Sequence, residues 1–177
     1  DRWAPPPFHE AIPRALAELL PRVPYVPSSA SGGAFPHASN AGPSSYYGVG
    51  AYRRPLEDAR RAEVAFASEC LAFANIGAEL PPGWRDRTPR DRGADWTFDD
   101  VRDHYARLLF GEPPPDSARA LDLGRWATGE VMARTFAEWR RARSPTRGGL
   151  VWFLRDLWPG AGWGVIDATG RPKLAWY

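Results

Sequence analysis

The chain has 177 residues, 44% of them hydrophobic, enough for one domain with a sizeable core. Its net charge is +2 from 23 basic and 21 acidic residues, and Lys173 is the only lysine. The many arginines alternate with acids, as over 57–63 and 85–87, so they make solvated faces and not a basic stripe for nucleic acid. No apolar run approaches the length of a membrane span, and the lone Cys70 excludes an intrachain disulfide and points to a reducing, cytoplasmic setting.

Pro5-Pro6-Pro7 leads into an amphipathic stretch over 8–20, with Ile12, Leu16, Leu19 and Leu20 on one side. Pro13 falls near its start, where a helix tolerates proline. Residues 23–28 read as a short strand, Ser31-Gly32-Gly33 opens a polar loop, and a second short strand follows at 46–49. Residues 55–63 are too polar for the core and read as a short helical or irregular connection. The next strand, 64–67, ends at Ser68-Glu69, and 73–95 is a long excursion rich in Pro, Gly and Arg. Thr97 offers an N-cap ahead of Asp99 and Asp100, and Val101, Tyr105, Leu108 and Leu109 give a helical face. Residues 111–116 break that helix. The longest helical pattern then spans 118–141, with Leu123, Trp126, Val131, Met132, Phe136 and Trp139 available for packing. Gly148-Gly149 opens a last apolar strand of the kind buried in parallel sheets. Strands that alternate with helices make the fold α/β.

Two groups of residues stand where chemistry is expected. Glu69 follows an apolar strand directly, with small neighbours Ser68 and Cys70, which places a carboxylate at the C-terminal rim of a sheet or barrel. Its alternative is a strand-ending acid paired with an arginine. Asp156, Trp158 and Trp163 follow the last strand at the same rim, and Trp152 lies within it. Indole rings cover the C–H faces of sugars and a carboxylate binds their hydroxyls, although tryptophans also fill cores. A buried Asp156 requires a partner, for which Arg155 is the nearest candidate. His9, His37 and His104 lack a metal spacing, Cys70 has no evident His partner, and 30–33 lacks the pattern of a phosphate loop.

Four ordered segments resemble β-mannosidases of glycoside hydrolase family 2. The run from Trp152 through Asp156, Trp158, Pro159 and Trp163 is similar to W-x-L-N-D-x-W-P-x-x-x-W, and 167–173 to D-x-x-G-R-P-K. Residues 23–29 resemble R-P-Y-W-P-S-S of the fifth barrel strand, 44–52 resemble D-V-H-Y-W-G-V-W of the sixth, and Ser68-Glu69 resembles the S-E of the seventh. The resemblance implies a partial (β/α)8 barrel, strands five to eight with their helices, so that 1–177 is the C-terminal part of a catalytic domain. The N-terminal half and accessory β-sandwich domains would lie outside it.

The implied activity is hydrolysis of terminal β-mannosides with retention, without cofactor or metal. Glu69 would be the nucleophile and Asp156, Trp158, Trp163, Trp152, Tyr46, Tyr47 and Ser28 would hold the sugar. The family's acid/base glutamate ends the fourth strand, and no residue here takes that role. Ser45 replaces a usual His, Tyr47 a Trp, Arg155 an Asn, and 70–73 departs from F-G-F-Q. Two other readings stand beside this one: a half-barrel that binds carbohydrate without catalysis, and a structural or interaction fragment.

Overall fold

A computed structural model describes residues 5–35, 37–112, 114 and 117–177. A π-turn over Pro7–Ala11 runs into α1 (Ile12–Leu19). Then come β1 (Pro43–Tyr46), α2 (Asp58–Arg61), β2 (Phe66–Cys70), β3 (Asn75–Ile76), α3 (Phe98–Phe110), α4 (Ala118–Arg140), β4 (Gly149–Val151) and β5 (Ala161–Gly162). Short 3-10 turns occupy Trp84–Arg87 and Leu174–Trp176. β1, β2 and β4 form a parallel sheet in the order β1-β2-β4, while β3 and β5 pair antiparallel.

Both long helices start where their caps direct. Thr97 and Asp100 close a capping box at α3, and the Ser117 hydroxyl accepts from the amide of Ala120 at α4. Those helices pack on each other, and Tyr105, Val101 and Val131 are fully buried between elements. Trp139 of α4 covers the sheet: its ring meets Tyr46 edge-on at 5.4 Å, and its indole N–H donates to the Ala59 carbonyl at 3.1 Å. Trp126, expected to pack, is exposed.

Four expected elements differ, the first being the strand expected at 64–67, which lies at Phe66–Cys70 so that Glu69 stands inside it and not after it. Residues 23–28 form no strand; Pro24 and Pro27 carry no ladder donor, which disfavours pairing there. The strand expected at 46–49 lies at Pro43–Tyr46, because the chain turns at Gly48 to Gly50, with Tyr52 N–H donating back to the Tyr47 carbonyl at 3.0 Å. The excursion after β2 begins late, since Phe73, Ala74, Asn75 and Ile76 are buried. The apolar side of α1 is largely uncovered, with Ile12, Leu19 and Leu20 exposed.

One irregularity in β2 aims its acid. Ser44 pairs with Ala67 but Ser45 pairs with Glu69, and on the other side Ala67 and Cys70 face Gly149 and Val151, so β2 carries a bulge at Ser68 and Glu69. Strict alternation would put Glu69 on the face of buried Ala67, toward α4. The bulge instead brings Cys70 to that buried face and turns Glu69 to the other.

A buried ion pair organises the chain after β4. Lys173 Nζ binds Asp156 Oδ2 and donates to the Asn75 carbonyl at 2.6 Å, with both side chains almost wholly inside. The arginine next to Asp156 is not its partner: Arg155 donates to the Ala168 carbonyl. The second Asp156 oxygen accepts the Gly164 amide at 2.7 Å. Cβ atoms at Gly162 and Gly164 would lie 2.4 and 2.6 Å from that oxygen, so only glycine admits the carboxylate there. Asp167 performs a parallel task one turn on. It accepts the amides of Thr169 and Arg171 at 2.9 Å each and of Ala78 at 3.3 Å. Burial works against its ionisation, but hydrogen bonds from the Thr169 hydroxyl and these amides outweigh that and hold its pKa at about 2.

Removing either member of the 156–173 pair strands a buried charge, so Lys173→Met is expected to cost about 3–5 kcal/mol in urea unfolding. Joint replacement with Asp156→Asn is expected to cost less than the two single changes summed; additive losses under about 1 kcal/mol would show that the pair is incidental. Asp167 is held below its ordinary 3.8, so its contribution is complete above that pH and is lost as pH falls toward about 2. Asp167→Asn is expected to flatten that acid limb in pH-dependent melting, and an unchanged limb would contradict the assignment.

Candidate active site

The open face of β2 lines a pocket of about 260 Å³ at the C-terminal ends of the parallel strands. Glu69, Tyr47, Asp91, Trp152 and Trp163 are among its walls. Tyr47 follows β1, the strand that pairs with β2 beside Glu69, and its hydroxyl donates to Glu69 Oε2 at 2.8 Å. Burial, with that carboxylate beside it, raises the phenol pKa, so the group stays a protonated donor. The acid is thus fixed as an acceptor with one oxygen engaged. Ser68 carries the hydroxyl that contacts Ser29, a side chain from the 23–29 segment.

Two indoles frame the carboxylate. The Trp152 amide donates to the Cys70 carbonyl at 3.0 Å, which registers the residue after β4 against β2. Its ring lies 6.3 Å from that of Trp163 at 59°. Trp163 is braced edge-on by Phe98 at 5.1 Å, and its buried N–H has no acceptor among the described residues. Cys70 is no rival nucleophile: burial pushes its thiol up to about 12, so it holds almost no thiolate near neutrality.

A second pocket of about 200 Å³ adjoins the first, with Trp163 in the walls of both. Trp84, Arg87, Asp156 and Trp158 help to line it. The sequence-expected residues therefore divide. Glu69, Tyr47, Trp152 and Trp163 meet in one pocket, and Asp156 and Trp158 belong to the neighbouring one. Asp156, expected on sugar hydroxyls, has both oxygens engaged inside the protein. Tyr46 turns to the helical side, where its hydroxyl donates to Asp58 at 2.9 Å. Ser28 lines neither pocket; its hydroxyl bonds the Ala30 carbonyl at 3.1 Å. Asp91 and Tyr52 join the Glu69 pocket without having been expected. Both sit on irregular segments, where no periodicity marks a side chain as facing a site.

Comparison with known proteins finds β-mannosidases. β-Mannosidase B of Thermothelomyces thermophilus is 27% identical over 190 residues, covering 96% of this chain and 22% of that protein. The chain is similar to β-mannosidases along almost its whole length. β-Mannosidase B of Aspergillus niger is 39% identical over 51 residues, 27% of this chain and 6% of that protein. The crystal structure of the β-D-mannosidase from Dictyoglomus thermophilum superposes with a TM-score of 0.75 at 22% identity, covering 100% of this chain and 23% of that one. The β-mannosidase-like chain therefore has a mixed α/β fold shared with that enzyme and spans under a quarter of these relatives' length. No family model matches it. Among the described residues, no helix is long and apolar enough to cross a membrane.

Proposed function

We propose that this chain is the C-terminal part of the (β/α)8 catalytic barrel of a family 2 glycoside hydrolase, and that the whole enzyme removes terminal β-mannosyl residues with retention. One observation carries the reading: a carboxylate on a parallel strand, turned into an indole-walled pocket by a bulge and held by a tyrosine hydroxyl. The open sheet supports the barrel. Among the described residues, β1 and β4 each have an edge without a paired strand, and an apolar groove of about 700 Å³ runs beside β4, walled by Met132, Phe136, Val151 and Trp176. A closed barrel would cover both edges.

In this reading, a Glu69 oxygen attacks the anomeric carbon and the glycosidic oxygen leaves with a proton from a second carboxylic acid. Water, deprotonated by that same group, then releases the sugar and restores Glu69. Tyr47 holds Glu69 in position and stabilises its charge, while Trp152 and Trp163 take the apolar face of the ring. Asp91 is a second carboxylate among the walls, but it lies on an irregular segment and not at a strand end. We assign it to sugar hydroxyls and place the proton donor outside these 177 residues.

In the longest native chain that carries this sequence, Glu69→Gln is expected to lower turnover of an aryl β-mannoside by more than about 10³-fold while mannose still binds. Unchanged turnover would remove Glu69 from the mechanism.

A further inference from the structure

The pocket beside the Glu69 site has a makeup of its own. Its walls are mostly aromatic and apolar, from two loops at the same rim: Trp84 on the 3-10 turn after β3, and Leu157, Trp158 and Pro159 after β4. Leu157 and Trp158 are 83% and 66% exposed and adjoin in the chain, so they offer a contiguous apolar patch to a ligand. The charge in this pocket is positive. It comes from Arg87, whose guanidinium lies over the Trp158 ring at 5.5 Å; Arg85, over Trp84 at 4.6 Å, is not among the walls and pairs with Asp99. Stacking engages the face of a guanidinium and leaves its edge N–H groups to grip a carboxylate in two-pronged fashion. Among the described residues, Arg87 forms no ion pair. The one carboxylate in the walls, Asp156, is neutralised by Lys173 and does not repel an anion.

Resting on the hydrolase reading above, we propose that this pocket is the leaving-group subsite and that it takes an acidic sugar, a uronic acid unit next to the cleaved mannose. Trp163, common to both pockets, separates the reacting ring from the departing one. Trp158 stacks on the departing pyranose and Arg87 binds its carboxylate. The reacting sugar is read by the first pocket, and the acid group of its neighbour by the second.

The test compares β-mannosyl-(1→4)-glucuronate with β-1,4-mannobiose as substrates of the longest native chain. The glucuronate disaccharide is expected to have the higher kcat/KM, with a preference that shrinks as salt is raised. Arg87→Gln is expected to cut that preference about tenfold, the scale of a charge-assisted hydrogen bond. Trp158→Ala is expected to raise KM for both disaccharides. Equal use of the two by the unmodified enzyme, or a preference that survives Arg87→Gln, would overturn the proposal. An aryl β-mannoside that is not cleaved at all would defeat the hydrolase reading instead. The subsite is then judged by calorimetric binding of the glucuronate disaccharide, where the same loss on Arg87→Gln is expected and absence of binding overturns it.

Discussion

Lys173 reaches inside the protein to hold Asp156 and the Asn75 carbonyl at once, joining three segments far apart in the chain. The strand β4 is only three residues long and cannot by itself hold the loop that follows it. The pair does so from beneath. With Asp156 fixed, the Gly164 amide and the neighbouring Trp163 are fixed, and Asp167 then ties the next turn to Ala78. Two charges taken out of water are costly unless each finds full compensation, and here the ammonium has a carboxylate and two carbonyls. Trp158 and Trp163 lie on the loop this arrangement holds, whereas Trp152 is registered by its amide's bond to Cys70.

The second constraint is the bulge in β2. A regular strand would have buried Glu69 against α4 with Ala67, where a lone carboxylate has no partner. One extra residue moves it to the open face, beside Tyr47 and between two indoles. The proposed site thus rests on a departure from regular pairing, supported by a regular helical layer behind it.

The sequence made the helices legible and the short strands less so. Thr97 with Asp100 announces α3, and the pattern over 118–141 announces α4, because caps and a 3.6-residue repeat are local signals. Strands of three to five residues take their limits from neighbours, which explains the displaced β1 and the missing strand at 23–28. At the site, Glu69 was readable from its place at the end of an apolar run. Tyr46 and Tyr47, being adjacent, had to face opposite sides, but only the sheet register decides which one meets Glu69. The partner of Asp156 was hidden by distance in sequence: Arg155 is adjacent, whereas Lys173 comes 17 residues later. That contact also explains the D-x-x-G-R-P-K run as a folding device, with Asp167 gathering amides, Gly170 at φ +92° and Lys173 anchoring the loop.

Covalent trapping tests the central claim most directly. The longest native chain would be incubated with an activated 2-deoxy-2-fluoro-β-mannoside, digested, and mapped by peptide mass spectrometry. A fluoromannosyl adduct on Glu69, formed in step with loss of activity, is the predicted result. An adduct on another carboxylate, or inactivation with Glu69 unmodified, would contradict it.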